Sequence, residues 1–114
     1  MNDRSYNGGL DAALSVVSGR WKFLVIWHLS ADGTLRFGEL RRLLTGVSEK
    51  MLMSSLKELE CAGAVLRTDH GEKPPRVDYS LTPAGIELAE ALRPLCQWGH
   101  AHIIDRSVTV SAQQ

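Results

Sequence analysis

Residues 34–60, TLRFGELRRLLTGVSEKMLMSSLKELE, decide the fold. Two short segments of helical periodicity flank a turn. In the first, residues 38–44, Leu40, Leu43 and Leu44 are spaced to face inward, with Arg41 and Arg42 on the other side. Thr45-Gly46 ends that segment, and a glycine suits the positive φ that often follows a helix C-terminus. Val47-Ser48 opens the second. Ser48 is a good N-cap, and Val47 with Leu52 has the spacing of a hydrophobic staple. Met51 stands where a capping-box acid would, so that reciprocal half of the signature is absent. The second helix is expected over residues 49–62, with Leu52, Leu56 and Leu59 as its buried stripe. Glu49, Lys50, Met53, Ser54 and Lys57 lie away from that stripe, and Gly63 closes the helix. This is the pattern of a helix-turn-helix.

On the C-terminal side, residues 64–69 and 77–81 read as strands. Val65, Val77, Tyr79 and Leu81 are their inward candidates. Between them His70-Gly71-Glu72-Lys73-Pro74-Pro75-Arg76 forms a basic tip, where the prolines deny ladder hydrogen bonds and stiffen the turn. Thr82-Pro83 then predicts a helix start, a cap followed by proline at the first helical position. That helix is expected to reach Trp98 or His102, with a kink or break at Pro94.

On the N-terminal side, residues 1–9 are polar and glycine-ended and read as a flexible arm. Leu10, Ala13, Leu14 and Val17 share one helical face. Ser18 and Gly19 interrupt that helix, either as a cap for the next one or as a tight bend. Residues 20–30 are apolar nearly all round, which predicts a helix at the centre of the domain. Ala31-Asp32-Gly33 is a turn, and residues 34–37 make a short strand. The chain therefore divides into the arm 1–9, a domain 10–102 and a polar tail 103–114. The expected class is α+β, a winged helix-turn-helix with extra N- and C-terminal helices at a dimer interface.

The chain has 114 residues and a formal net charge of zero, which fits one domain and argues against a histone-like polyelectrolyte. The zero is a cancellation. Residues 36–57 carry Arg36, Arg41, Arg42, Lys50 and Lys57 against Glu39 and Glu49, whereas acids predominate from Val77 onward. Docking on a polyanion depends on such distribution rather than on the sum. Lys50, Ser54 and Lys57 are the base-edge candidates, since lysine donates to guanine acceptors and a short serine allows close approach, as does Ser55. Ser48 and Met53 belong to the same surface. Arg36, Arg41 and Arg42 read as phosphate positioners, and Lys73 and Arg76 reach the adjacent minor groove or its phosphates. Taken singly, each of these cations could be a solvated surface charge, and Arg76 could simply pair with Asp78.

The sequence resembles the HxlR family of bacterial winged-helix transcriptional regulators over roughly residues 10–100. The resemblance rests on GRWKFLVIWHL at 19–29, LRFGELRRLLTGVSEKML at 35–52, LKELECAGAVLR at 56–67, PPRVDYSLTPAG at 74–85 and CQWG at 96–99. It implies a homodimer built from residues 10–17 and 82–102, a recognition segment at 47–62 and a wing tip at 73–76. It also implies binding to partly palindromic double-stranded operators by repressors or activators, with repression the reading taken here. Many members of that family begin this domain with Cys-Pro-Val-Glu, whose cysteine is the trigger in the redox and electrophile sensors. Gly8-Gly9-Leu10-Asp11 stands here instead, so that sensing route is missing.

Cys61 and Cys96 are the remaining sensor candidates, although buried, inert thiols are the expectation for both. No CxxC, signal peptide or membrane-length apolar run is present, so reduced thiols and a cytoplasmic protein away from the membrane are expected. His100 and His102 form an HxH without convincing metal-ligand partners. Trp21, Trp27 and Trp98 could line a pocket for a small-molecule effector at the dimer interface. No nucleophile elbow, Walker loop or zinc motif is present, so neither an enzyme nor a cofactor is expected. The alternatives to a regulator are a winged helix used for protein association and an effector-free architectural DNA binder.

Overall fold

The computed structural model describes residues 5–106. Its elements are α1 (Gly9–Val17), α2 (Arg20–Asp32), β1 (Leu35–Arg36), α3 (Phe37–Leu43), α4 (Glu49–Cys61), β2 (Val65–Asp69), β3 (Val77–Leu81) and α5 (Pro83–Gly99). A π-helical turn, His100–Ile104, extends α5. Order and type match the expectation from sequence throughout, with helix and strand ends shifted by a residue or so.

The apolar helix α2 is the hub. Val25, Ile26 and Leu29 are buried, and α2 packs against α1, α3, α4, α5 and β3. Leu40 and Leu44 from the α3 end, Val47 from the turn, Leu52, Leu56 and Leu59 from α4, and Leu35, Val65 and Tyr79 from the sheet complete one core. Leu43, expected to face inward, is exposed. Phe37, Leu40 and Leu44 define the inward direction, and Leu43 lies roughly a quarter-turn from its centre. Ser55 is buried for the converse reason. It lies three residues after Leu52 and four before Leu59, on the buried face, so of the two serines only Ser54 faces outward.

Caps fix the register of the helix pair. Ser48 Oγ accepts the Met51 N–H at 3.1 Å, and Glu39 Oε1 accepts the Arg36 N–H at 2.8 Å. Gly46, at φ +93°, turns the chain between α3 and α4. Gly19 serves the bend before α2 with φ +84°, and Ser18 makes no cap there.

The sheet is antiparallel with order β1-β3-β2. Leu35 pairs with Tyr79 and Arg67 with Tyr79, while Arg36 and Thr68 both flank Asp78. Directly paired residues share a face, so Leu35, Val65, Tyr79 and Leu81 turn to the core and Arg36, Thr68 and Asp78 turn outward. The β2–β3 hairpin is the wing, closed at its neck by the His70 N–H donating to the Arg76 carbonyl at 3.0 Å.

Thr82 ties the sheet to α5. Its Oγ1 accepts the Gly85 N–H at 3.0 Å and donates to the Gly63 carbonyl at 2.6 Å, while its N–H donates to the Ala64 carbonyl at 3.1 Å. The α5 backbone comes so close that a Cβ at Gly85 would overlap the Ala64 carbonyl oxygen.

Of the kink or break expected at Pro94, the break does not occur, and α5 runs through it. Pro94 and Glu90 are both exposed, so water can serve the Glu90 carbonyl that proline leaves without a donor. Helical structure runs on through Arg106, past the helix end expected at Trp98 or His102. The rest of the expected tail, 107–114, lies outside the described residues, as do residues 1–4 of the arm. The radius of gyration is 16.4 Å, against about 13 Å for a compact domain of roughly this size. The excess fits terminal helices that lie partly uncovered. Leu10 is 74% exposed, Leu95 63% and Trp98 54%, with Leu14, Ile103 and Ile104 also on the surface.

Candidate nucleic-acid interface

The capped helix α4 has two sides of opposite character. Leu52, Ser55, Leu56 and Leu59 are buried. Lys50, Ser54, Lys57 and Cys61 follow at offsets of four, seven and eleven, so they share the opposite face, and all are exposed. Among the described residues neither Lys50 nor Lys57 has an ion-pair partner. Ser54 Oγ donates weakly to Glu58 at 3.3 Å. Met53 is exposed beside them. Ser48 is engaged as a cap, but only as an acceptor, so its hydroxyl proton stays free to donate.

Helix α3 contributes Arg41 and Arg42, both exposed. Arg41 Nη1 lies 3.4 Å from Glu49 Oε2, a bond joining the last turn of α3 to the first turn of α4. Arg42 makes no such pair among the described residues. Arg41 therefore braces the helix pair, whereas Arg42 takes no part in that tie.

The outward face of the sheet gathers charge around one carboxylate. Asp78, whose side chain is 13% exposed, receives His70 Nε2 at 2.7 Å and Arg76 Nη2 at 3.3 Å, with Arg36 Nε at 3.9 Å. The His70 hydrogen bond, and then Arg76, hold the Asp78 carboxyl below its usual range despite partial desolvation. Arg76 also reaches Glu72 at 3.8 Å, and its Nε is buried without a hydrogen-bond partner among the described residues. The pairing of Arg76 with Asp78 that the sequence left open is thus present. It anchors Arg76 at the neck of the wing and leaves Lys73, at the tip, unpaired among the described residues. His70 and Asp78 were missed as organising groups. Their signal is the alternation His70, Arg76, Asp78, which falls on one face only once the hairpin register is known.

Elsewhere one expectation changes. Cys61 is exposed and Cys96 is half-buried, so neither is the enclosed thiol expected. Within the chain the three tryptophans lie in separate surroundings. Trp27 lines an apolar cleft with Phe23, Cys96 and Ile103. Trp21 packs on the core under Arg20, and Trp98 stacks on His102 with centroids 4.9 Å apart. His100 lies 3.6 Å from Asp105, but no group of three metal-ligating side chains forms among the described residues.

A capped helix with a cationic outer stripe, a partner helix presenting arginine and a basic hairpin define a winged helix-turn-helix DNA-binding regulator. The profile of the HxlR-like helix-turn-helix family matches residues 16–107, and the chain belongs to that family. The regulatory protein MalR of Fusobacterium mortiferum is 39% identical over 94 residues, covering 82% of this chain and 89% of its own. YtcD of Bacillus subtilis, an HTH-type transcriptional regulator, is 39% identical over 103 residues, covering 90% of this chain and 81% of its own. The solved structure of the redox regulator HypR in its reduced form superposes with a TM-score of 0.78 at 35% identity. It covers 90% of this chain and 97% of that one.

Proposed function

We propose that the protein is a homodimeric regulator that reads a pseudo-palindromic operator and represses by occupying it. The observation that carries this reading is the outer stripe of α4, Lys50, Ser54 and Lys57, exposed on a helix whose opposite side is wholly core. In this reading α4 enters the major groove. Lys50, Ser54 and Lys57 meet base edges, with Met53 beside them. Ser48, Arg41 and Arg42 meet flanking phosphates, and Lys73 with Arg76 and Arg36 follows the wing along the backbone.

Dimerisation is supported by the exposed apolar side chains of the terminal helices, Leu10 and Leu14 on α1 and Leu95 and Trp98 on α5. Apolar surface of this kind on a small domain marks an interaction site. No helix among the described residues is long and apolar enough to cross a membrane, and a DNA-reading protein acts in the cytoplasm or on the nucleoid. The exposed thiol of Cys61 and the half-buried thiol of Cys96 are the groups through which an oxidant could act. Footprinting on the DNA upstream of the protein's own gene tests the reading. Two protected half-sites, about 34–36 Å apart along the duplex, are expected. Protection of a single half-site, or none, rules out the dimeric operator reader.

A further inference from the structure

A cavity of about 600 Å³ lies between α1 and the C-terminal half of α4. Its charged wall is Lys22, Lys57 and Glu58. Lys22, only 13% exposed, gives its ammonium to Glu58 Oε1 at 3.1 Å and to the Ser15 carbonyl at 3.4 Å. That contact holds the Glu58 carboxyl below its usual range. The cavity therefore already receives one carboxylate on one lysine. Lys57 adds a second ammonium with no counter-charge among the described residues, so the lining carries a net positive charge. Ala12, Val16 and Ala62 give the wall its apolar part, beside Tyr6, Ser15 and Cys61.

We propose that this cavity binds a small organic carboxylate, its charged head on Lys57 and its hydrocarbon body on Ala12, Val16 and Ala62. The volume lies within the usual span of small-molecule sites. An uncharged guest would cover an ammonium without pairing it, which is unfavourable. A carboxylate supplies the missing partner through a charge-assisted bond. A consequence rests on the reading of α4 as the recognition helix. Lys57 belongs to the outer stripe, so it cannot hold a ligand carboxylate and serve DNA at once. The ligand is then an inducer, and DNA weakens ligand binding by the factor by which ligand weakens DNA binding.

The test uses 2-naphthoate as probe and its uncharged analogue 2-naphthamide, titrated into the full chain without DNA and followed by amide chemical shifts. Saturable shifts are expected at Ser15, Val16 and residues 57–62, with one site per chain. Lys57→Gln weakens binding about tenfold or more, as loss of a charge-assisted bond implies. Arg93→Gln on α5 leaves it unchanged, and the amide analogue binds about as weakly as the acid binds to the Lys57 variant. Absence of saturable shifts, shifts confined to other surfaces, equal binding of acid and amide, or an unaffected Lys57→Gln each overturns the proposal. If the protein bound no DNA at all, the operator reading would fall, while this titration would still decide the cavity.

Discussion

His70 Nε2 lies 2.7 Å from Asp78 Oδ2, closing the neck of the wing from β2 to β3. Because the same carboxylate takes Arg76 at 3.3 Å and Arg36 at 3.9 Å, one acid on β3 orients two groups of the hairpin connection and one of β1. Asp78 sets a negative charge among these cations, where it holds two arginines in place.

That arrangement fixes a pH dependence. The Asp78 carboxyl is depressed in the folded protein, chiefly by the His70 hydrogen bond. A depressed acid stabilises the fold fully above its unfolded value, and the contribution is lost as pH falls through the folded value. Urea denaturation should therefore show Asp78→Asn less stable than the wild type at pH 7, with the gap narrowing below about pH 4. A gap that stays constant into acid would remove the carboxylate from the account.

Gly85 is predicted to tolerate no side chain. Its missing Cβ is what lets α5 start against the Ala64 carbonyl, which also accepts the Thr82 N–H. Gly85→Ala should lower unfolding free energy by about 1–3 kcal/mol, the usual range for overpacking. Chemical denaturation that places the variant level with the wild type would show that the junction can relax.

The terminal helices should govern assembly. Leu95 and Trp98 are both more than half exposed on α5. Leu95→Glu with Trp98→Glu is expected to yield a monomer in sedimentation with the fold intact by circular dichroism. A dimer that survives both charges would place the interface elsewhere.

Of the two exposed arginines on α3, only Arg41 ties the helix pair together. Arg42→Ala should weaken all DNA sequences alike and reduce the salt slope of binding by about 0.9, one phosphate contact's worth. Arg41→Ala should also cost stability, because it removes the Glu49 tie between α3 and α4. Equal salt slopes for wild type and Arg42→Ala would exclude Arg42 as a phosphate contact.

Much of this was legible in the residues because local chemistry decided it. Ser48 and Thr82 cap the helices they were expected to cap, Gly46 turns where a positive φ was expected, and the strand 77–81 matches to the residue. Errors arose where packing geometry overrode local preference. Leu43 has the right chemistry for the core but sits off the inward direction of a short helix, and Ser55 lies on the buried face despite its hydroxyl. Pro94 signals a kink or a break, and the break is avoided where an exposed helix edge accommodates the proline. For the candidate interface, the outer stripe of α4 could be read from periodicity alone. The His70–Asp78–Arg76–Arg36 cluster needed the strand register, and the cavity beside Lys57 needed the docking of α1, which no local pattern encodes.

The central claim is sequence-specific reading of duplex DNA by α4. Its most direct measurement is the affinity for the upstream intergenic DNA, against excess nonspecific competitor across a salt series, for wild type and Lys57→Ala. The account predicts a competition-resistant complex that weakens with salt and loses affinity when Lys57 is removed. An affinity indistinguishable from that for competitor DNA, or identical in the two proteins, would contradict it.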